Sequence, residues 1–187
     1  CAGFAAGQTY PSKSILWVQT FSAGSSTDLL ARSIAPTLGE ALRVPVVVET
    51  RTGAGGSIGV SAVARSAPDG YTILVGTAGH MVINPHLYRN LSYDPLKDLT
   101  FIASIAKYEN VLLVNSMVPV KDVAELVEYA KANPGKVSFG SGGNGTSTHL
   151  SAEIMKSATG APMLHVPYKG NSQAMADLLA GNITFMF

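Results

Sequence analysis

Val137-Ser138-Phe139-Gly140-Ser141-Gly142-Gly143-Asn144-Gly145-Thr146-Ser147-Thr148-His149 runs from a short apolar strand, Val137–Phe139, through a glycine loop into a helix expected over Ser147–Thr159. The same strand, small-residue loop and helix unit recurs along the chain. Ile15–Thr20 is a strand, Phe21–Thr27 a loop, and a helix follows from about Asp28 to Leu42. Val46–Glu49 leads through Arg51–Gly56 into a helix ending near Arg65, and Tyr71–Val75 ends at Gly76-Thr77-Ala78-Gly79-His80. A helix is expected over Val120–Ala132. Met163–Val166 leads through Tyr168–Ser172 to a helix ending at Ala180, and Asn182–Phe187 alternates like a strand. Strands at Phe101–Ile105 and Val111–Val114 flank the polar stretch Lys107-Tyr108-Glu109-Asn110. Strands that are continuously apolar and alternate with helices predict α/β architecture, with parallel sheets covered on both faces.

Composition narrows the function. Of 187 residues, 47% are apolar and 13% charged, which favours a packed core over disorder. Thirteen Lys plus Arg against twelve Asp plus Glu leave a net charge of +1, without the basic excess of a nucleic-acid binder. A single cysteine excludes a disulfide framework within the chain and any multi-cysteine metal site. No apolar run approaches the ~18 residues of a membrane span.

Nineteen glycines carry the remaining signal. In a parallel sheet all strand carboxyl ends face one edge, and ligands bind there. Four small-residue loops fall at such ends: Phe21–Thr27, Gly76–His80, Gly140–Ser147 and Tyr168–Ser172. Each precedes a helix start, where free N–H groups and the helix dipole favour an anion. Each could equally be a plain helix cap; their sharing one edge is what points to a cleft for a small carboxylate.

Other chemistry is poorly supported. Arg51-Thr52-Gly53-Ala54-Gly55-Gly56-Ser57-Ile58-Gly59 begins like a dinucleotide-binding turn, but Ile58 stands where Gly or Ala is needed and the acidic partner falls in the turn at Asp69. His80, His86, His149 and His165 lack metal-ligand spacing, and no G-x-S-x-G elbow occurs. A hydrolase using Ser141 and His149, or a nucleotide site at Gly53–Gly59, remain the alternatives. No cofactor, metal or catalytic residue is expected.

The two ends carry different signals. Cys1–Gln8 is small and uncharged, like the tail of a secretory signal peptide, with Cys1 either a remnant or a lipidated residue. Phe187 ends the chain within an apolar strand, so a C-terminally truncated chain is expected.

Several motifs recur together: Tyr10-Pro11-Ser12-Lys13, the Phe21–Asp28 loop, Arg51-Thr52-Gly53-Ala54-Gly55-Gly56, Ala67-Pro68-Asp69-Gly70-Tyr71-Thr72, Ile83-Asn84-Pro85, Tyr93-Asp94-Pro95, Ala132-Asn133-Pro134-Gly135-Lys136, Gly140–His149 and His165-Val166-Pro167-Tyr168-Lys169-Gly170. From Tyr10 onward the chain resembles the Bug family, the TctC-like substrate-binding proteins of tripartite tricarboxylate transporters. The resemblance implies a periplasmic binding protein of the type II Venus-flytrap kind. Residues 1–9 would be a signal remnant or irregular terminus, 10–107 the first lobe and 108–187 the second, each lobe incomplete. It implies capture of a di- or tricarboxylate, amino acid or aromatic acid by backbone amides, hydroxyls and waters, and delivery to membrane permease subunits. Carried over, the ligand-binding positions are Ser22, Ala23, Gly24, Ser25 and Thr27; Thr77, Ala78 and Gly79; Gly142, Asn144, Thr146 and Ser147; and Tyr168. The chain departs from the family where Ser22 and Ala23 replace prolines and Ser25 replaces a glycine, which implies a less rigid first loop and a different ligand preference.

Overall fold

The structure, a computed structural model, describes residues 10–187; the expected signal remnant at 1–9, with Cys1, lies outside the described residues. In chain order the elements are β1 (Ile15–Gln19), α1 (Ser26–Leu42), β2 (Val46–Thr50), α2 (Ser57–Ala64), β3 (Thr72–Leu74), α3 (Asn84–Leu87), β4 (Leu113–Val114), α4 (Val123–Ala132), β5 (Ser138–Ser141), α5 (Ser147–Thr159), β6 (Leu164–Pro167), α6 (Asn171–Ala180) and β7 (Phe185–Met186). They form two sheets, β2-β1-β3 and β4-β7-β5-β6.

The first sheet is wholly parallel. Ile15 aligns with Val46 and Gln19 with Thr50 on one side of β1, and Leu16 with Thr72 on the other. Parallel neighbours need crossovers, which α1 and α2 supply. Trp17 and Val75 pack with Ala31 and Ala35, whose small side chains let α1 approach the sheet closely.

The second sheet is mixed. β5 pairs in parallel with β6 and β7, while β4 runs antiparallel to β7, with Val114 opposite Phe185. Strand β4 is thus an antiparallel edge on sheets that are otherwise parallel, as the mainly parallel α/β class expected from the sequence allows. Phe139 and Phe185 face Leu126, Ala130 and Ala152 from α4 and α5. The other face packs Met186 against Ala174 and Leu178 of α6. Burial on both faces explains why β5 reads as a strand without clean alternation.

Two expectations fail in the linking segment. Phe101–Ile105 forms no strand; Phe101 is 80% exposed and Ile102 78%, with no neighbouring strand among the described residues to complete a ladder. Val111–Val114 shrinks to the two residues that meet β7. Between β3 and this segment, a π-type turn over Gly79–Ile83 runs directly into α3. Tyr93 closes that turn by donating from its hydroxyl to the His80 carbonyl at 2.9 Å.

Candidate functional site

Helix α1 begins immediately beyond β1. Ser25 caps it, its Oγ accepting from the Asp28 N–H at 3.4 Å. Asp28 is buried and turns back on the loop: Oδ2 accepts from the Gly24 N–H at 2.9 Å and Oδ1 from Arg32 Nε at 2.8 Å. Helix α5 begins beyond β5 in the same way. Thr146 is its cap, accepting from the His149 N–H at 3.3 Å while its own hydroxyl donates to the Gly143 carbonyl at 2.7 Å. Thr148 Oγ1 accepts from the Gly142 N–H at 3.2 Å, which ties the loop to the helix.

Such caps satisfy some amides and leave others free. The N–H groups of Ser26 and Thr27, of Ala78 and Gly79, and of Ser147 and Thr148 have no acceptor among the described residues. All six residues line one cavity between the two sheets' loops, with Phe21, Ser25, Thr77, Tyr108, Gly142, Thr146 and Asn171 completing its wall. Its volume is ≈ 60 Å³, room for about four waters or an acid's head group. Among the described residues no Lys, Arg, His, Asp or Glu lines it. Positive potential there comes from backbone dipoles, worth roughly half a charge at each helix start.

His80 holds the second of these loops in shape. It is fully buried, stacked on Phe21 at 5.4 Å, and its Nδ1 accepts from the Thr77 N–H at 3.1 Å. The neutral ring therefore carries its proton on Nε2, which faces Thr20 Oγ1 at 3.4 Å. Burial pushes its pKa down to about 4, against a smaller opposing effect from the Gly55 backbone, so it is uncharged at neutral pH. His80 supports the loop and is not among the cavity's lining residues.

Eight residues expected from the sequence meet at the cavity: Ser25, Thr27, Thr77, Ala78, Gly79, Gly142, Thr146 and Ser147. Five do not. The Ser22 N–H and hydroxyl bond to Lys169 and Ser172, and the Ala23 carbonyl accepts from Ser172. Gly24 spends its N–H on Asp28. Asn144 offers its carbonyl to Tyr88. Tyr168 turns away, its hydroxyl donating to Asp177 Oδ2 at 2.6 Å, with the phenol pushed up to about 12 by burial and that carboxylate. Sequence reasoning missed Phe21, Ser26, Thr148 and Asn171, all within or beside the quoted loops, and Tyr108 in the polar linking stretch. For the loop residues the available signal was position at a helix start; for Tyr108 there was none beyond an aromatic in a crossing segment.

Neither alternative chemistry has room to operate. Ser141 Oγ lies 2.7 Å from His165 Nε2, a serine–histidine pair. Ser141 is fully buried, and its oxygen also accepts from the Gly143 N–H at 3.1 Å. His165 is stacked between Phe139 at 4.8 Å and His149 at 4.2 Å, and no carboxylate among the described residues hydrogen-bonds it. Burial, then neighbouring His149, pushes its pKa down to about 4. This pair is packing; it offers a substrate no approach. The Gly53–Gly59 turn is likewise filled: a Cβ at Gly56 would lie 2.1 Å from His80 Nε2, and one at Gly59 2.7 Å from the Arg51 carbonyl. Among the described residues no group of three or more His, Cys, Asp or Glu could hold a metal, and no helix is long and apolar enough to cross a membrane. A larger, open depression of ≈ 670 Å³ lies between the second half of α1 and β2, but no helix start faces it.

The family model described as tripartite tricarboxylate transporter family receptor, TctC, matches residues 30–187. A UPF0065 protein of Bordetella pertussis is 39% identical over 186 residues, covering 100% of this chain and 57% of its own length. A solved structure of a periplasmic transporter superposes with TM-score 0.90 at 44% identity, over 94% of this chain and 59% of that one. R. palustris Rpa4515, solved with adipate, gives TM-score 0.91 at 37% identity, over 95% and 59%. The chain thus spans a little under three fifths of the length of these relatives, and its fold is that of the periplasmic binding proteins, with two α/β lobes.

Proposed function

The chain belongs to the family of tripartite tricarboxylate transporter receptors, and from that premise we propose that it captures a small carboxylate between its two lobes, in the periplasm, for the membrane permease subunits of such a transporter. The observation that carries this reading is the convergence of six unpartnered amides, from three loops, on a cavity without a charged side chain among the described residues. A carboxylate fits that donor set. Each oxygen accepts two or more N–H bonds, and the charge is met by dipoles already in place, so little reorganisation accompanies binding. A cation would meet no carboxylate among the described lining residues, and a neutral sugar would bring no charge to match the amide dipoles. Rpa4515 with its adipate supports a linear dicarboxylate as the first probe.

The two lobes contribute different donors. Ser26, Thr27, Ala78 and Gly79 belong to the loops of the first sheet, Ser147 and Thr148 to the second. An acid held by both sets stabilises the closed arrangement over the open one by its differential affinity. This is a binding protein's geometry rather than an enzyme's, since no His, Lys or carboxylate among the described residues lines the cavity to activate its hydroxyls.

Isothermal titration of the intact protein tests the reading, against adipate, succinate, malate, glutamate and benzoate, with glucose and arginine amide as controls. Saturable binding of at least one acid, abolished by its methyl ester, is expected. Silence across the acids with tight binding of glucose or the amide overturns it.

A further inference from the structure

Three of the residues expected to hold ligand, Ser22, Ala23 and Asn144, are instead spent between the lobes, on either side of the cavity. On one side, the Ser22 N–H donates to the Lys169 carbonyl at 2.9 Å. The Ser172 hydroxyl donates to the Ala23 carbonyl at 3.0 Å, which leaves Ser22 Oγ to donate to Ser172 Oγ at 2.8 Å. On the other side, Tyr88 donates to the Asn144 carbonyl at 3.3 Å. We propose that these are two latches that hold the cleft closed without touching the ligand, and that glycines at Gly170 and Gly55 make them possible.

Both latches rest on backbone contact that a side chain would prevent. A Cβ on Gly170 would lie 2.1 Å from Ser22 Oγ and 2.7 Å from the Ser22 nitrogen. A Cβ on Gly55 would lie 2.2 Å from the Asn144 carbonyl oxygen, and Gly55 also sits at φ 59°. Nearby, the Cβ position of Gly143 lies 3.5 Å from the Gly55 Cα, so the second latch is main chain against main chain. Atoms 2.1 or 2.2 Å apart cannot stay put; the lobes would have to move apart.

One feature opposes closure. Asn84 is fully buried, and its Nδ2 donates to Ser57 Oγ at 3.0 Å, but its Oδ1 has no donor among the described residues. That oxygen abuts Gly145 of the opposite lobe, where an added Cβ would lie 2.2 Å away. Closing the lobes dries this carbonyl without replacing its water, and opening restores it. The latches therefore work against a built-in cost, which keeps closure responsive to what fills the cavity.

The inference rests on the two-lobe reading and not on the identity of the ligand. It is tested in the intact protein by Gly170→Ala and Gly55→Ala, with dyes on α1 and α5 reporting the distance between lobes. Gly135→Ala is the control: like Gly55 it has a positive φ, 82°, but nothing lies within 4 Å of its Cβ position, so it carries backbone strain alone. The two latch variants are expected to shift the distance distribution toward open, with and without adipate, while melting cooperatively; Gly135→Ala keeps the wild-type distribution. A tenfold loss of closed population raises the apparent Kd about tenfold. Ser22→Ala, which removes a hydroxyl and adds no bulk, is expected to shift the distribution in the same direction by less. Wild-type distributions in both glycine variants overturn the latches. If no carboxylate binds the unmodified protein, the ligand reading fails, and the distance measurement still decides the latches.

Discussion

Ser26 offers the sharpest test of how the cavity attracts its guest. It is the first residue of α1, exposed, and part of the cavity wall. An aspartate there suits the helix, because a carboxylate in the first turn complements the dipole by about 0.3–1 kcal/mol. It does not suit the ligand, since it places a fixed negative charge among the amides meant for one. At a separation of about 5 Å and an effective dielectric of roughly 20–40, the repulsion is about 2–3 kcal/mol. That corresponds to a Kd raised by about 20- to 200-fold. Ser26→Asn, nearly the same shape without charge, is expected to stay within about threefold of the parent. Titration calorimetry with the best carboxylate at low and high salt reads both variants, and the Asp penalty is expected to shrink as salt screens it. Ser147→Asp, at the matching position of α5, repeats the experiment from the other lobe. If Ser26→Asp keeps parental affinity while its melting temperature holds or rises, the backbone-dipole account of recognition is wrong.

Three further outcomes follow from buried groups. His80 has its pKa lowered from 6.5 to about 4, so the unfolded chain takes up a proton before the folded one does; the neutral ring's stability is complete above about pH 6.5 and fades as pH falls toward 4, by about 3 kcal/mol in all, and urea melts at pH 7 and 4.5 should show a slope that His80→Gln flattens. Asp28→Asn removes the charge that holds the Gly24 N–H and Arg32, and is expected to lower stability by about 1–2 kcal/mol in denaturant titration, the outer partner being half exposed. Phe139→Ala empties the centre of the second core and is expected to cost about 3–5 kcal/mol by the same measurement; affinity of the remaining folded protein for the acid should be unchanged, because Phe139 lies on the face opposite α6 and outside the cavity wall.

The sequence alone determined the α/β class, because apolar strand runs and helix starts are local patterns that each segment carries by itself. It also pointed to the loops at Phe21–Thr27, Gly76–His80 and Gly140–Ser147, since a cap residue and a glycine turn are legible within a few positions of each other. Tertiary structure decided which atoms of those loops remain free. Ser22 and Gly24 look like donors for a guest, yet their N–H groups go to Lys169 and Asp28, 147 and 4 positions away, and the Asn144 carbonyl is taken by the Tyr88 hydroxyl. Tyr168 was lost to Asp177 nine residues on, within its own lobe. Tyr108 entered the wall only because a linking segment crosses the cleft, and Phe101–Ile105 stayed unpaired because strand formation needs a neighbour that local pattern cannot supply. Helices and turns close their hydrogen bonds within a few residues and can be read in order; whether an amide is spent or available is settled by the far side of the molecule.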